Sequence, residues 1–224
     1  MYSLHPVTVD DVRSFLTECG EQSGRSDAVR QGSMGLERME RKDARGPDLA
    51  SHALASYLAE RRPSFAFEEL SFSKWEAMIE RGVGMLMRPP SRLFADAGMT
   101  RDLAQRFPIR LDHGRGAMAG AYVPAHLVPE LAAMLEDRLE RQVRRLIEAE
   151  IESVATMGLM LEAVGYAHSQ GTGLIEADEV LRAGVQVNAV YWADKRRLPE
   201  ELRKRLEAAT RAPKKPGLIS RLRG

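Results

Sequence analysis

Apolar residues recur at helical spacing along most of the chain. Val12, Phe15 and Leu16 follow Thr8 and Asp10, either of which can cap a short helix that runs to about Cys19, where Gly20 stops it. Asp48 is placed to cap a second helix with Leu49, Ala53, Leu54, Tyr57 and Leu58 on one face and Pro63 at its end. Ser73-Lys-Trp-Glu76 has the Ser-x-x-Glu form in which a hydroxyl and a carboxylate each satisfy an unpaired backbone N–H, and Trp75, Met78, Ile79 and Val83 then face inward. Pro89-Pro90 forbids continuation, and Thr100 starts a short helix holding Leu103, Ala104 and Phe107.

Pro124 and Pro129 open a longer run in which Leu127, Leu131, Leu135, Leu139, Val143, Ile147 and Ile151 advance by four residues each time. At 3.6 residues per turn such a row slides by about 40° per step, so its stripe winds around a straight helix instead of staying on one side. The pattern predicts a bend or a break, placed between Glu148 and Ser153 because Val154, Met157, Leu161 and Val164 keep a tighter face beyond it. Gly171 and Gly173 end this run, residues 174–181 predict a last helical turn, and Pro199 opens an amphipathic helix over 199–210 with Leu202, Leu206 and Ala209 inward.

Period two appears in two places. Ile109 and Leu111 alternate with Arg110 and Asp112, His113-Gly-Arg-Gly116 forms a turn, and residues 117–123 return as the second arm of a β-hairpin. Val185, Val187, Ala189 and Tyr191 alternate with Gln186, Asn188, Val190 and Trp192, predicting a third strand beside the hairpin. The fold expected from these patterns is α+β and predominantly helical. A helical N-terminal region covers 1–98, with a mobile or weakly helical linker at about 21–47 where Gly, Ser, Arg, Asp and Glu dominate. Residues 99–194 form an α+β core in which a small antiparallel sheet packs on the long helical segment, and 195–224 form a basic, helical and flexible extension.

Composition narrows the class. With 224 residues, 44% of them apolar and 29% charged, the chain can build a sizeable core. No unbroken apolar stretch, Val83 to Met87 among them, comes near the roughly 20 residues that a membrane span requires. Met-Tyr-Ser-Leu-His-Pro has no basic segment followed by an apolar one, and the single Cys19 cannot form an internal disulfide or a thiolate zinc site. Together these features point to the cytoplasm.

The net charge of +1 conceals an asymmetry. From Lys195 onward there are eleven bases against three acids, so this end carries +8 and residues 1–194 carry −7. A basic appendage on an acidic body can bind nucleic acid or an anionic membrane, dock back on its own body, or simply keep the chain soluble. Nucleic acid is expected only through the tail, because the body is acidic. Lys214, Lys215, Leu218, Ile219 and Leu222 form a short basic and apolar docking peptide.

Two clusters carry candidate chemistry. Arg110, Asp112, His113 and Arg115 gather at the hairpin turn, where imidazole and guanidinium groups can hold an anion or move a proton, together with Trp192 or Asp194 from the neighbouring strand end. Turns collect the same residue types for backbone reasons alone. Glu148, Glu150 and Glu152 suggest a carboxylate metal site, but the Glu-x-x-His pattern of such helical sites is missing from the sequence, and no metal or cofactor is expected. The reading is a non-enzymatic interaction or accessory protein whose tail contacts an unidentified protein. A homodimer is expected as well, because the long helical segment offers more apolar surface than three short strands can cover. The alternative is a small enzyme or anionic-ligand-binding protein using residues 110–115.

Overall fold

The computed structural model describes residues 1–21, 26–68, 70–107, 121–178, 180–181 and 187–211. It is predominantly helical, with a mixed five-stranded sheet in the order β3-β4-β1-β2-β5. The strands are β1 (Tyr2–Val7), β2 (Pro63–Phe67), β3 (Tyr122–Val123), β4 (Gly173–Asp178) and β5 (Ala189–Trp192). Central β1 runs antiparallel to both neighbours, placing Leu4 opposite Phe65 and Glu176, while β2 and β5 are parallel, with Phe65 opposite Tyr191.

Helices cover both faces of the sheet. Against one face lie α1 (Val9–Glu21), α2 (Asp27–Glu40), α3 (Gly46–Arg61), α5 (Pro90–Asp96) and α6 (Arg101–Ala104). Phe15, Leu54, Leu58 and Phe94 meet Val7 and Ile175 there. Against the other lie α4 (Phe72–Lys74) with the π-helical turn Trp75–Ile79 that continues it, then α7 (Val128–Asp137), α8 (Leu139–Glu148), α9 (Ser153–Gln170) and α10 (Glu200–Arg211). On this side Leu131, Val143, Leu146, Met157, Val164 and Leu206 close over Leu4, Phe65, Phe67 and Leu174. With both faces buried, the strands have no solvent side to mark them by alternation.

This arrangement corrects several expectations. The span 21–47 contains α2, a helix capped by Ser26 Oγ on the Val29 N–H at 3.2 Å, where composition predicted a linker. Gly35 lets α2 lie close to α3, since a Cβ there would stand 2.5 Å from the Ala50 nitrogen. Region 1–98 is not helical throughout, because it supplies β1 and β2. Residues 173–178 are the buried strand β4 and not a helical turn. Of the strand read over 185–192, residues 189–192 form β5, on the far edge of the sheet from β3 and beside β2. Ser71, not Ser73, caps the helix ahead of Trp75, its Oγ accepting from the Lys74 N–H at 3.0 Å. The helix expected to start at Asp48 begins at Gly46, with Pro47 in its first turn.

The long run divides as its drifting stripe requires. Breaks fall at Arg138 and between Glu148 and Ser153, giving three helices. Much of their apolar surface is covered within the chain, since α9 packs on β1, β2, β4, α7, α8 and α10, while Ile147 of α8 stands 45% exposed. Glu80 secures this layer. It is 2% exposed, accepts from the Gly82 N–H at 3.1 Å and from Arg138 Nη1 at 2.8 Å, and pairs with Arg141. Burial alone would raise its pKa, but the Arg141 hydrogen bond, the Gly82 N–H and the charges of Arg141 and Arg138 outweigh that and hold the carboxyl below its usual range. No helix among the described residues is long and apolar enough to cross a membrane.

Candidate ligand cleft

Beside the carboxyl ends of the two parallel strands the surface opens into a cleft of about 340 Å³. That is where open sheets with parallel strands most often hold ligands. Phe67 and Glu68 come from the end of β2, Trp192 and Ala193 from the end of β5, Glu150, Ile151 and Glu152 from the α8–α9 link, and Ala155 and Thr156 from the first turn of α9. Buried Phe67, Leu70 and Ala155 form an apolar floor, while Glu68, Glu150, Glu152 and Trp192 stand exposed at the rim.

The backbone explains the placement of the acids. Ala149 and Glu150 end α8 in a turn where Glu150 adopts φ 59°, a left-handed conformation that residues with a Cβ seldom take. The chain then reverses, and Glu152 caps α9 by accepting from the Ala155 N–H at 2.6 Å. Its charge is therefore offset by the positive end of the α9 dipole. The Glu68 and Glu150 carboxylates have no ion pair among the described residues, and the described lining contains no Lys, Arg or His. Glu68 and Glu150 leave the rim with a negative charge that no described lining residue neutralises. Trp192, 42% exposed, offers the face of an indole beside it.

A second polar cluster lies inside the sheet. His5 on β1 is fully buried, with Nε2 2.8 Å from Ser3 Oγ and Nδ1 3.1 Å from Ser64 Oγ. Ser3 turns its hydroxyl proton towards the Ala177 carbonyl oxygen at 3.5 Å, so its lone pair accepts Nε2–H and the Ser64 hydroxyl donates to Nδ1. Burial pushes the His5 pKa down to about 4. A neutral imidazole with both nitrogens engaged and no route to solvent holds strands together and performs no exchange with a substrate. Cys19 is similarly inert: burial raises its thiol to about 11.

The cluster Arg110, Asp112, His113 and Arg115 lies outside the described residues, as does the tail set Lys214, Lys215, Leu218, Ile219 and Leu222. Trp192 and Asp194, which were joined to the hairpin set, stand at the opposite edge of the sheet from β3. Trp192 lines the cleft, whereas Asp194 accepts from the Arg196 N–H at 2.9 Å and pairs with the Arg196 guanidinium at 3.0 Å. His168 is exposed at the far end of α9, away from Glu150. Among the described residues there is no group of three or more His, Cys, Asp or Glu that could hold a metal ion.

Sequence reasoning singled out Glu150 with Glu152, and Trp192 apart from them. Glu68 and Phe67 escaped it, because the pairing of β2 with β5 spans more than a hundred residues and leaves no local signal. Compared with known proteins, the chain matches no family model, no curated protein and no solved structure.

Proposed function

We propose that this is a non-enzymatic, cytoplasmic interaction protein that receives a cationic side chain, Arg or Lys of a polypeptide partner, in the cleft beside Trp192. The observation that carries this reading is the pair of unneutralised carboxylates, Glu68 and Glu150, around an apolar floor with an exposed indole at its edge. An arginine fits each part. Its methylene stem covers Phe67 and Leu70, its guanidinium donates to the two carboxylates, and its planar face lies over Trp192. An anion would meet three carboxylates and no base in the described lining, so this cleft is not a site for the anionic ligand considered for residues 110–115.

The test is a fluorescence titration of the full chain with a blocked Arg-Leu-Arg peptide at low salt, made also in a chain carrying Arg221→Glu and Arg223→Glu so that its own tail does not compete. Binding should be saturable and should weaken about tenfold with Glu68→Gln and Glu150→Gln together, the loss expected when charge-assisted hydrogen bonds worth about 1.4 kcal/mol are removed. A flat titration in both chains overturns the reading.

A further inference from the structure

We propose that the cleft's resident occupant is the chain's own segment 218–223, Leu-Ile-Ser-Arg-Leu-Arg, held in place until a basic partner displaces it. This inference rests on the reading of the cleft as a cation site and names what fills it. Residues 212–224 carry four bases and no acid, while residues 1–194 carry a net −7, so the strongest attraction available to this segment within the molecule is towards acidic surface.

The chemistry matches beyond sign. Arg221 and Arg223 supply guanidinium groups for Glu68, Glu150 and the face of Trp192, and Leu222 between them supplies apolar bulk for a floor built from Phe67 and Leu70.

The tether is long enough. The described chain stops at Arg211, the end of α10, and α10 packs on α8 and α9, the two helices whose link forms one wall of the cleft. At 1.5 Å per residue α9 is about 27 Å long, and ten residues of extended chain from Arg211 to Arg221 span up to about 33 Å. A segment tethered at this range is presented at an effective concentration near the millimolar range, so even a contact of millimolar intrinsic affinity is substantially occupied. The segment then acts as an internal competitor, raising the affinity that a partner must have to enter.

The two tryptophans make occupancy measurable, because Trp75 is buried at 1% exposure and gives a constant background while Trp192 stands at the cleft. In the full chain at low salt, Trp192 should be shielded from acrylamide. With Arg221→Glu and Arg223→Glu it should become open to the quencher, and the Arg-Leu-Arg peptide should bind this variant about twofold more tightly than the unaltered chain because it meets no competitor. Salt near 1 M, where screening acts within about 3 Å, should abolish both differences. Equal quenching and equal peptide affinity in the two chains overturn the inference while leaving the cation site standing, whereas a flat peptide titration in both overturns the two together. Shielding that disappears on dilution assigns the segment to a second copy and overturns the intramolecular contact.

Discussion

His5 shows how one buried side chain can set the acid limit of the whole fold. Its ring nitrogens are occupied by Ser3 and Ser64, neither of which can compensate a positive charge, and burial holds the folded-state pKa at about 4. An unfolded chain takes up a proton at this histidine near pH 6.5, so between about 6.5 and 4 the unfolded state binds a proton that the folded state refuses. The contribution of the neutral imidazole is therefore fully present above pH 6.5 and lost as pH falls towards 4, amounting to on the order of 3 kcal/mol. Urea midpoints measured from pH 7 down to pH 4.5 should fall steeply in the unaltered chain. With His5→Gln the profile should be flatter over that window, although the starting stability is lower, since Ser3 and Ser64 lose well-placed partners. Parallel profiles for the two chains would show that His5 is not the group responsible. Glu80 works in the same sense at lower pH: its depressed pKa gives stability that is present above the ordinary carboxylate range and lost only as acid protonates it.

Among the elements, the α8–α9 link stands out because it trades stability for position. Glu150 occupies φ 59° with a side chain that has no ion pair in the described structure, and a glycine would adopt that conformation without strain. Replacing Glu150 by Gly should raise stability by about 1 kcal/mol while weakening the Arg-Leu-Arg peptide, a divergence that thermal melts and the titration together would reveal. If stability and peptide affinity both fell, the turn would need its side chain for folding. The amphipathic helices were readable in the sequence because one stripe of each faces the core: Val12 with Phe15 in α1 and Leu206 with Ala209 in α10 are buried as their spacing requires. The break before α9 was readable for a geometrical reason, the drift of a four-residue row. The strands were not. β1 carries Ser3, His5 and Pro6, and β4 carries Glu176 and Asp178, all inside a sheet covered on both faces, so neither alternation nor an apolar run announces them. Pro6 is tolerated in this central strand because the β2 ladder pairs only with Tyr2, Ser3 and Leu4. Glu176 is likewise accommodated by a specific contact, accepting from the Phe72 N–H. Part of the cleft was legible as residue types, Glu150, Glu152 and Trp192, but the pairing that brings β5 to β2 depends on tertiary contacts across the sheet.

At the scale of the molecule, the order β3-β4-β1-β2-β5 interleaves early and late parts of the chain. β1 sits between β2, from the first 98 residues, and β4, from beyond them, and β5 is bound to the sheet through β2. The helices repeat this interleaving. Trp75 donates from Nε1 to Gln142 Oε1 at 3.2 Å, and Gln142 in turn donates to the Leu135 carbonyl oxygen at 3.2 Å, so an indole from the first region is fixed by α7 and α8 from the second. Neither region can complete its hydrogen bonds or cover its apolar faces when the other is unfolded, and unfolding should therefore be one cooperative step. The two tryptophans allow this to be checked on the whole chain. With Trp192→Phe, an exposed position, the remaining emission reports Trp75 alone, and its urea transition should coincide with the loss of helix followed by circular dichroism, which sums over both regions. A helical signal that decays in two steps, with Trp75 following only one of them, would divide the molecule at the boundary near residue 98 that its sequence suggests and would require the sheet to come apart before its flanking helices do.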